Sequence, residues 1–326
     1  MPDLLPELLP IPPLFHGIIM LVVVMAIKAG LQRLAPHEPW GFFNFFCRQL
    51  AAKVNKAENG TQQQTISGFI SVLITFTPLW VILWLFADFV EVAFLWEGLL
   101  LYFALGNLTL KPRATKIATA ITNSNNYLAK ETLQPLVLRE TQKLSAMGIA
   151  KATIEMLILR SLQQYITVAF IFLIGGGLPA ISYRLLLEMH YAWNPKLPQL
   201  RAFGRFVGAL VQLILWLPSR LILICGLILS FGQQSTLLWR LSLPVFFTLS
   251  SQPLVQFFAL AMNIRLGGVA MYEGVKLRRE ESNSNGRQPE PKDIVHAYRF
   301  INRIYTLIAI GVVGIYLLAW VASLQA

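Results

Sequence analysis

Hydrophobic residues follow one another along this chain in runs that are too long for the core of a soluble domain. Six runs hold few or no charges and approach the length of about 20 residues that a helix needs to cross the hydrocarbon core of a bilayer. They lie at 14–27, 67–87, 92–110, 161–183, 206–231 and 304–326. The pattern predicts an all-α fold, a polytopic integral membrane helical bundle with about six transmembrane spans.

The longest connection between predicted spans, 111–160, carries apolar residues at helical spacing among polar ones, which predicts cytoplasmic amphipathic helices. The apolar stretch 244–262 contains glutamines and a proline, so we expect an interfacial or re-entrant element there. Segment 276–303 begins with a composition typical of a charged linker and continues as a juxtamembrane helix. The chain is therefore divided into a membrane domain at 1–275, this charged cytoplasmic segment, and a C-terminal span at 304–326.

Composition and charge support a membrane location. Hydrophobic residues make up 56% of the 326 residues and charged residues 13%, whereas a typical globular domain has roughly 25% charged residues. The net charge is +11, and Lys and Arg concentrate in three large connections that the positive-inside rule assigns to the cytoplasm. We expect a multi-pass protein of the bacterial inner membrane with the lipid bilayer as its partner. Nucleic acid is not an expected partner, because no nucleic-acid-binding motif is present.

Two ionisable side chains fall inside the predicted spans, where a charge is expensive and is a functional candidate by default. Glu97 lies near the start of the third span, and Arg220 follows Pro218 in the fifth. Glu97 is either a functional carboxylate or an interfacial residue near the outer headgroups. Arg220 is either the anchor of a proline-broken helix or an anion-binding group.

The segment 263–274 is a candidate ligand-binding loop. Gly267 and Gly268 follow the basic residue Arg265, and paired glycines allow backbone N–H groups to approach an anion such as phosphate. A plain turn is the alternative. The histidines and cysteines are scattered and form no metal-binding motif, so the sequence assigns no metal ligand.

Five segments occur together in an order that is typical of one family of membrane proteins. They are EGLLLYFALGNLTL from Glu97, RETQKL from Arg139, GIAKATIEM with Glu155, WLPSRL ending beyond Arg220, and IRLGGVAMYEG with Arg265 and Tyr272. In these segments the chain resembles the CobD/CbiB family of cobalamin-biosynthesis membrane proteins, the adenosylcobinamide-phosphate synthases.

The resemblance implies an ATP-dependent amide ligase that joins an aminopropanol-type amine to a carboxylate of adenosylcobyric acid. ATP and Mg²⁺ are the implied cofactors if that reaction is retained, and a corrinoid intermediate is the implied partner. The candidate catalytic residues are Glu97, Arg139 and Glu155. The candidate ligand-binding or phosphate-binding residues are Arg220, Arg265, Gly267, Gly268 and Tyr272. Glu97, Glu155 and Glu140 are the acids that remain for a single Mg²⁺.

The chain departs from the family pattern at polar positions. After Glu155 the family continues with an acidic, amide-rich run, where this chain has Leu159, Arg160 and Gln163. A later Asn and Asp of the family correspond to Leu187 and His190. The retained scaffold and the missing polar residues predict reduced or lost ligase activity, as in the related AmpE-type proteins.

Three functions therefore stay open from the sequence. The first is an intact ATP-dependent amide ligase. The second is an AmpE-like, non-catalytic membrane sensor or regulator with a membrane or cytoplasmic protein partner. The third is a small-solute transporter, which would depend on the intramembrane residues Glu97 and Arg220.

Overall fold

The computed structural model describes residues 13–34, 39–106, 110–230, 239 and 246–325. It is mainly helical. The helices are α1 Pro13–Leu34, α2 Gly41–Val54, α3 Thr61–Ala87, α4 Ala93–Ala104, α5 Leu110–Thr122, α6 Asn126–Leu133, α7 Ala146–Ser161, α8 Thr167–Gly175, α9 Gly177–Ala192, α10 Arg205–Leu229, α11 Gln252–Ala261 and α12 Pro291–Gln325. Short 3₁₀ turns follow α6 and α9, and the π-helical turn Leu162–Ile166 joins α7 to α8.

Five helical segments of the described residues are long and apolar enough to cross a membrane. They are Phe15–Gln32, Thr61–Ala87, Ala146–Gly175, Arg205–Leu229 and Pro291–Ala322. The prediction of an all-α, multi-span helical membrane bundle is confirmed. Parts of three predicted spans, at 107–109, 231 and 326, lie outside the described residues, as do residues 244–245 of the predicted interfacial stretch.

The predicted span 92–110 contains a shorter helix than expected. Helix α4 has 12 residues, which gives a length of about 18 Å at 1.5 Å per residue. Since the hydrocarbon core is about 30 Å thick, α4 cannot cross it alone. In the part of the chain that the structure describes, five helices rather than six therefore have the length of a span.

The predicted span 161–183 is divided at Gly176, where φ is +81°. The apolar helix on its N-terminal side starts much earlier than predicted, at Ala146, and ends at Gly175. Its first half was not predicted as part of a span, because Lys151, Glu155 and Arg160 interrupt the uncharged run there. After the break, α9 lies at the centre of the bundle and packs against α2, α3, α4, α8 and α10.

Glu97 positions this break. Its carboxylate accepts the backbone N–H of Gly177, the first residue of α9. A Cβ atom on Gly177 would lie 3.0 Å from Leu100 Cβ and 3.1 Å from the carbonyl oxygen of Glu97, so the close approach of α4 favours glycine there. The carboxylate thus satisfies an N–H that the interrupted helix would leave unpaired.

Two strands form an antiparallel hairpin, β1 Leu266–Tyr272 and β2 Val275–Ser282. The register runs from Leu266 opposite Ser282 to Tyr272 opposite Val275, with a bulge at 267–269. This differs from the predicted division at 275–276, because the charged stretch that resembles a linker pairs through its backbone with β1. The rest of 276–303 leads into α12, which continues as one 35-residue helix into the predicted last span.

We predict that Gly68→Ala destabilises the protein. A Cβ atom at this position of α3 would lie 2.0 Å from the carbonyl oxygen of Phe203, and overpacking of this kind costs about 1–3 kcal/mol. The midpoint of thermal unfolding in detergent should fall. Gly30→Ala, in α1 with no atom within 4 Å of its Cβ, is the matched control and should not lower it. Equal midpoints for the two variants would contradict the close packing of α3 against residue 203.

Candidate functional site

The carboxylate of Glu155 lies where α7, the segment before it and the hairpin meet. Arg139 Nη2 and Arg279 Nη1 each lie 2.9 Å from Glu155 Oε2. The backbone N–H of Gly267 donates to Glu155 Oε1 at 2.8 Å. Glu155 and Arg139 are only 4% and 6% exposed. These four residues form the Glu155 cluster, in which two guanidinium groups and one backbone N–H compensate a single buried carboxylate.

The sequence of β1 explains how the hairpin reaches Glu155. Gly267 and Gly268 have φ angles of +75° and +84°, which side chains other than hydrogen rarely permit. A Cβ atom on Gly267 would lie 2.2 Å from the carbonyl oxygen of Glu280. The paired glycines therefore form the bulge that directs the Gly267 N–H at Glu155. Arg279 then completes the contact from β2, and its Nε also donates to the carbonyl of Gly268 at 3.3 Å.

The pKa values of the two arginines shift in opposite directions. Burial lowers the pKa of Arg139 more than the opposing charge of Glu155 raises it, and the charge of Arg279 adds to the decrease. For Arg279, burial also opposes the charged form, but the charge and hydrogen bond of Glu155 outweigh it and raise the pKa. One carboxylate thus has to neutralise two guanidinium groups, and the cluster keeps a surplus of positive charge.

Two lysines add to this surplus. Lys151, one helical turn before Glu155 on α7, interacts electrostatically with the carboxylates of Glu155 and Glu281 and with Arg265. Lys196, in the loop after α9, interacts with Arg279, Glu155 and Arg139. The Lys196 side chain is open to solvent over part of its surface, but the protein around it desolvates its amine. Desolvation, followed by the charge of Arg279, lowers the pKa of Lys196.

The other residues predicted to bind phosphate have protein partners. Arg265 Nε lies 3.9 Å from Glu281 Oε2, and Arg265 Nη2 donates to the carbonyl of Ser284. Tyr272 is buried, and its hydroxyl lies within electrostatic range of Arg139. Arg265 and Tyr272 therefore lie beside the Glu155 cluster, at the two ends of β1.

Arg220 lies at a separate place, in α10. Its Nη2 donates to the carbonyl of Thr248 at 2.7 Å and its Nη1 to Ser219 Oγ at 3.0 Å. The guanidinium also faces the rings of Trp216 and Phe246. These contacts hold residues 246–248, which follow α10 in the chain, against that helix. No contact joins Arg220 or Glu97 to the Glu155 cluster within the described part of the chain.

The cluster does not fit a divalent cation. The three acids left for Mg²⁺ each accept a backbone N–H at a different place in the fold: Glu97 from Gly177, Glu140 from Gly274, and Glu155 from Gly267. Over the described ranges, no three His, Cys, Asp or Glu side chains converge. Magnesium prefers carboxylate and water oxygens, whereas two guanidinium groups flank the Glu155 oxygens. A cation at Glu155 would be repelled by its neighbours.

Arg160 occupies a position where the family pattern is acidic or amide-rich. Its Nη2 donates to the carbonyl of Leu136 at 3.1 Å, and its guanidinium faces the ring of Tyr191 at 5.9 Å. Gln163 accepts a hydrogen bond from the Tyr191 hydroxyl at 2.8 Å. The residues that replace the family's polar positions are thus used to pack α7 and the π-helical turn against their neighbours.

Sequence reasoning missed Arg279, Lys151 and Lys196. Arg279 follows another arginine in a highly charged strand, and only the strand register shows which of the two faces Glu155. Lys151 precedes Glu155 by one helical turn, a spacing that places both on one side of a helix. Lys196 lies in a loop with no motif around it, so no sequence signal could have placed it here.

A comparison with protein families settles the kinship of the chain. A family model described as CobD/Cbib protein matches residues 19–301, which contain the whole Glu155 cluster. This chain belongs to the CobD/CbiB family. The resemblance seen in the sequence segments is therefore confirmed, and the Glu155 cluster lies inside a member of the CobD/CbiB family.

Similar curated proteins carry the name Cobalamin biosynthesis protein CobD. The relative from Chromobacterium violaceum is 27% identical over 73% of this chain and 76% of its own length. The relative from Stutzerimonas stutzeri is 26% identical over 68% and 72%, and that from Listeria monocytogenes is 25% identical over 78% and 80%. No solved structure matches the chain significantly.

We predict that Glu155→Gln strongly destabilises the protein. The substitution leaves Arg139 and Arg279 buried or half-buried without their counter-charge, and removal of one partner from a buried ion pair costs about 3–5 kcal/mol. The midpoint of thermal unfolding in detergent should fall well below that of the wild type. Glu131→Gln, an exposed carboxylate on α6, makes the same chemical change as a control and should leave the midpoint in place. A stable Glu155→Gln variant would refute the charge-compensation role.

Proposed function

We propose that this chain is a multi-pass protein of the bacterial inner membrane that has lost the amide-ligase reaction and binds an anionic ligand beside the Glu155 cluster. Its large basic connections face the cytoplasm. The observation that carries the proposal is the pairing of Glu155 with Arg139 and Arg279. This carboxylate is already neutralised by protein groups.

Loss of the ligase reaction follows from the chemistry that the reaction needs. Activation of a carboxylate by ATP transfers a phosphoryl group, and metal ions held by acidic residues neutralise its charge. In this chain Glu97 caps α9, and Glu140 accepts the N–H of Gly274. An intact ligase with Mg²⁺ and ATP would have to release one of these acids from its present contact.

Anion binding follows from the charge balance. The basic groups at this place outnumber the carboxylates: they are Arg139, Lys151, Lys196, Arg265 and Arg279, against Glu155 and Glu281. Desolvation and the charge of Arg279 lower the pKa of the Lys196 amine. An anion next to this amine would oppose both effects, since an opposite charge favours the charged form. A phosphate or a carboxylate group satisfies this requirement. A corrinoid intermediate with carboxylate groups is the ligand most consistent with the names of the relatives.

A regulatory role of the AmpE type is compatible with the same site, because it requires binding without catalysis. In that case a membrane or cytoplasmic protein partner would respond to the bound anion. A transporter is less well supported, since Glu97 and Arg220 are both engaged in contacts that hold the helices together.

We predict that the chain does not replace the synthase. It would be expressed in a cobalamin-dependent strain that lacks the synthase and is supplied with cobyric acid. No growth is expected, because the acids for Mg²⁺ are not assembled. Cobinamide should restore growth and is the control, and the protein should be detected in the membrane fraction. Growth on cobyric acid would contradict the loss of the ligase reaction.

We predict that inorganic pyrophosphate in the presence of EDTA raises the thermal midpoint of the purified protein. Lys196→Gln should weaken this effect by about tenfold or more in pyrophosphate concentration, since a hydrogen bond to a charged group contributes about 1.5–3 kcal/mol. Lys276→Gln, an exposed lysine on β2, is the control for loss of one positive charge and should behave as the wild type. An equal response of both variants, or no response of the wild type, would contradict an anion site at Lys196.

A further inference from the structure

We propose that a groove between α5 and α12 binds the phosphate of an anionic phospholipid headgroup. This basic groove is lined by Lys111 and Thr115 from α5 and by Tyr298, Arg299 and Asn302 from α12, together with apolar residues. It is separate from the Glu155 cluster. The inference goes beyond the proposed function and depends only on α12 entering the membrane.

The two helices present their polar groups to one space. Lys111 and Thr115 are four residues apart, as are Tyr298 and Asn302, so each pair lies on one helical face. The cavity has a volume of about 240 Å³, below the roughly 300–1,000 Å³ of pockets that enclose a drug-sized molecule. Its size suits a headgroup whose acyl chains remain outside in the bilayer.

The charge of the basic groove is positive and not compensated. Lys111 and Arg299 are its only charged lining residues, and neither makes an ion pair with any described residue. The Lys111 amine lies 5.6 Å from the centre of the Tyr298 ring, a contact that orients it without neutralising it. The nearby carboxylate of Asp293 is occupied by Arg287 at 2.6 Å. The basic groove therefore attracts an anion.

The position of the groove relative to the bilayer indicates that a lipid is the source of that anion. Beyond Tyr305, α12 exposes a long apolar surface that includes Ile310, Ile315 and Leu318. Asn302 and Arg299 lie roughly 4 Å and 9 Å before Tyr305 along the helix axis. The headgroup layer of each leaflet is roughly 5–8 Å thick, so the two side chains lie at the height of lipid phosphates. Anionic lipids attract basic residues at this height.

The hydroxyl of Thr115 and the amide of Asn302 complete the recognition. A phosphate diester offers several acceptor oxygens, and these two side chains are neutral donors beside the two cations. Phosphatidylcholine also has a phosphate, but its quaternary ammonium group would lie among the two positive charges. The basic groove should therefore favour phosphatidylglycerol over phosphatidylcholine.

The test uses the full chain in nanodiscs of phosphatidylcholine with increasing phosphatidylglycerol. We compare the wild type, the double variant Lys111→Gln/Arg299→Gln and the control Lys116→Gln/Arg303→Gln. The control removes the same charge from exposed positions of the same two helices that do not line the groove. The readouts are the thermal midpoint and the lipids that remain bound to the protein in mass spectrometry after transfer to detergent.

The wild type and the control should retain phosphatidylglycerol, and their midpoints should rise with its fraction. The groove variant should need about thirtyfold more of the lipid for the same effect, given the attraction of two basic residues to an anionic surface. All three proteins should have similar midpoints in pure phosphatidylcholine, since the substituted side chains are exposed.

Soluble sn-glycerol 3-phosphate distinguishes the source of the phosphate. It should compete with phosphatidylglycerol only weakly, because it has no acyl chains beside α12. A stronger response to the soluble ester than to the lipid would overturn the assignment of a lipid. If the groove variant and the control lose phosphatidylglycerol binding equally, the attraction is to the basic surface in general. If neither loses it, the groove binds no phosphate. Either result would overturn the proposal.

Discussion

A single carboxylate between two guanidinium groups is the interaction on which the architecture of this site depends. Glu155 is carried by a helix of the apolar bundle, Arg139 by the chain before that helix, and Arg279 by the far strand of the hairpin. Burial of one such charge alone is strongly unfavourable, and the pairing reduces this penalty only when all partners are in place. The cluster therefore links the hairpin to α7 and to the segment before α7, although Arg279 lies 124 residues after Glu155 in the sequence. It also consumes the acid that a metal-dependent reaction would need.

A second carboxylate performs a related task inside the bundle. Glu97 satisfies the first N–H of α9 where the apolar helix breaks at Gly176, and this contact allows the short helix α4 to pack against the central helix. Irregular backbone at membrane depth is tolerated only where protein groups satisfy it. Glu97 and Glu155 thus share one property: each retained motif acid is bound by backbone N–H groups. The family scaffold is kept while its acids serve the fold.

The parts of the fold that depend on runs with no charge or a single charge, such as α3 and α10, were predicted from the sequence, because lipid imposes a simple rule on composition. It did not predict that α7 and α8 form one long apolar helix, since Lys151, Glu155 and Arg160 lie in it and their charges are compensated only by tertiary contacts. The hairpin was missed because VKLRREES shows no alternation of apolar residues. The order of the family segments predicted that Arg139, Glu155 and Gly267 belong to one site. Arg279 and Lys196 were not predicted, because the strand register and the course of a loop place them there.

Membership of the CobD/CbiB family is compatible with the proposed loss of the ligase reaction, because membership depends on the scaffold whereas the reaction depends on a few free acids. Arginines compensate the charge of Glu155, and we expect this carboxylate to hold no divalent cation. Electron paramagnetic resonance of Mn²⁺ titrated into the purified protein, with and without ATP, tests this expectation. We expect no stoichiometric Mn²⁺ binding by the protein itself and no change in the ATP-bound Mn²⁺ signal. One tightly bound Mn²⁺ per chain that disappears in Glu155→Asn would contradict it.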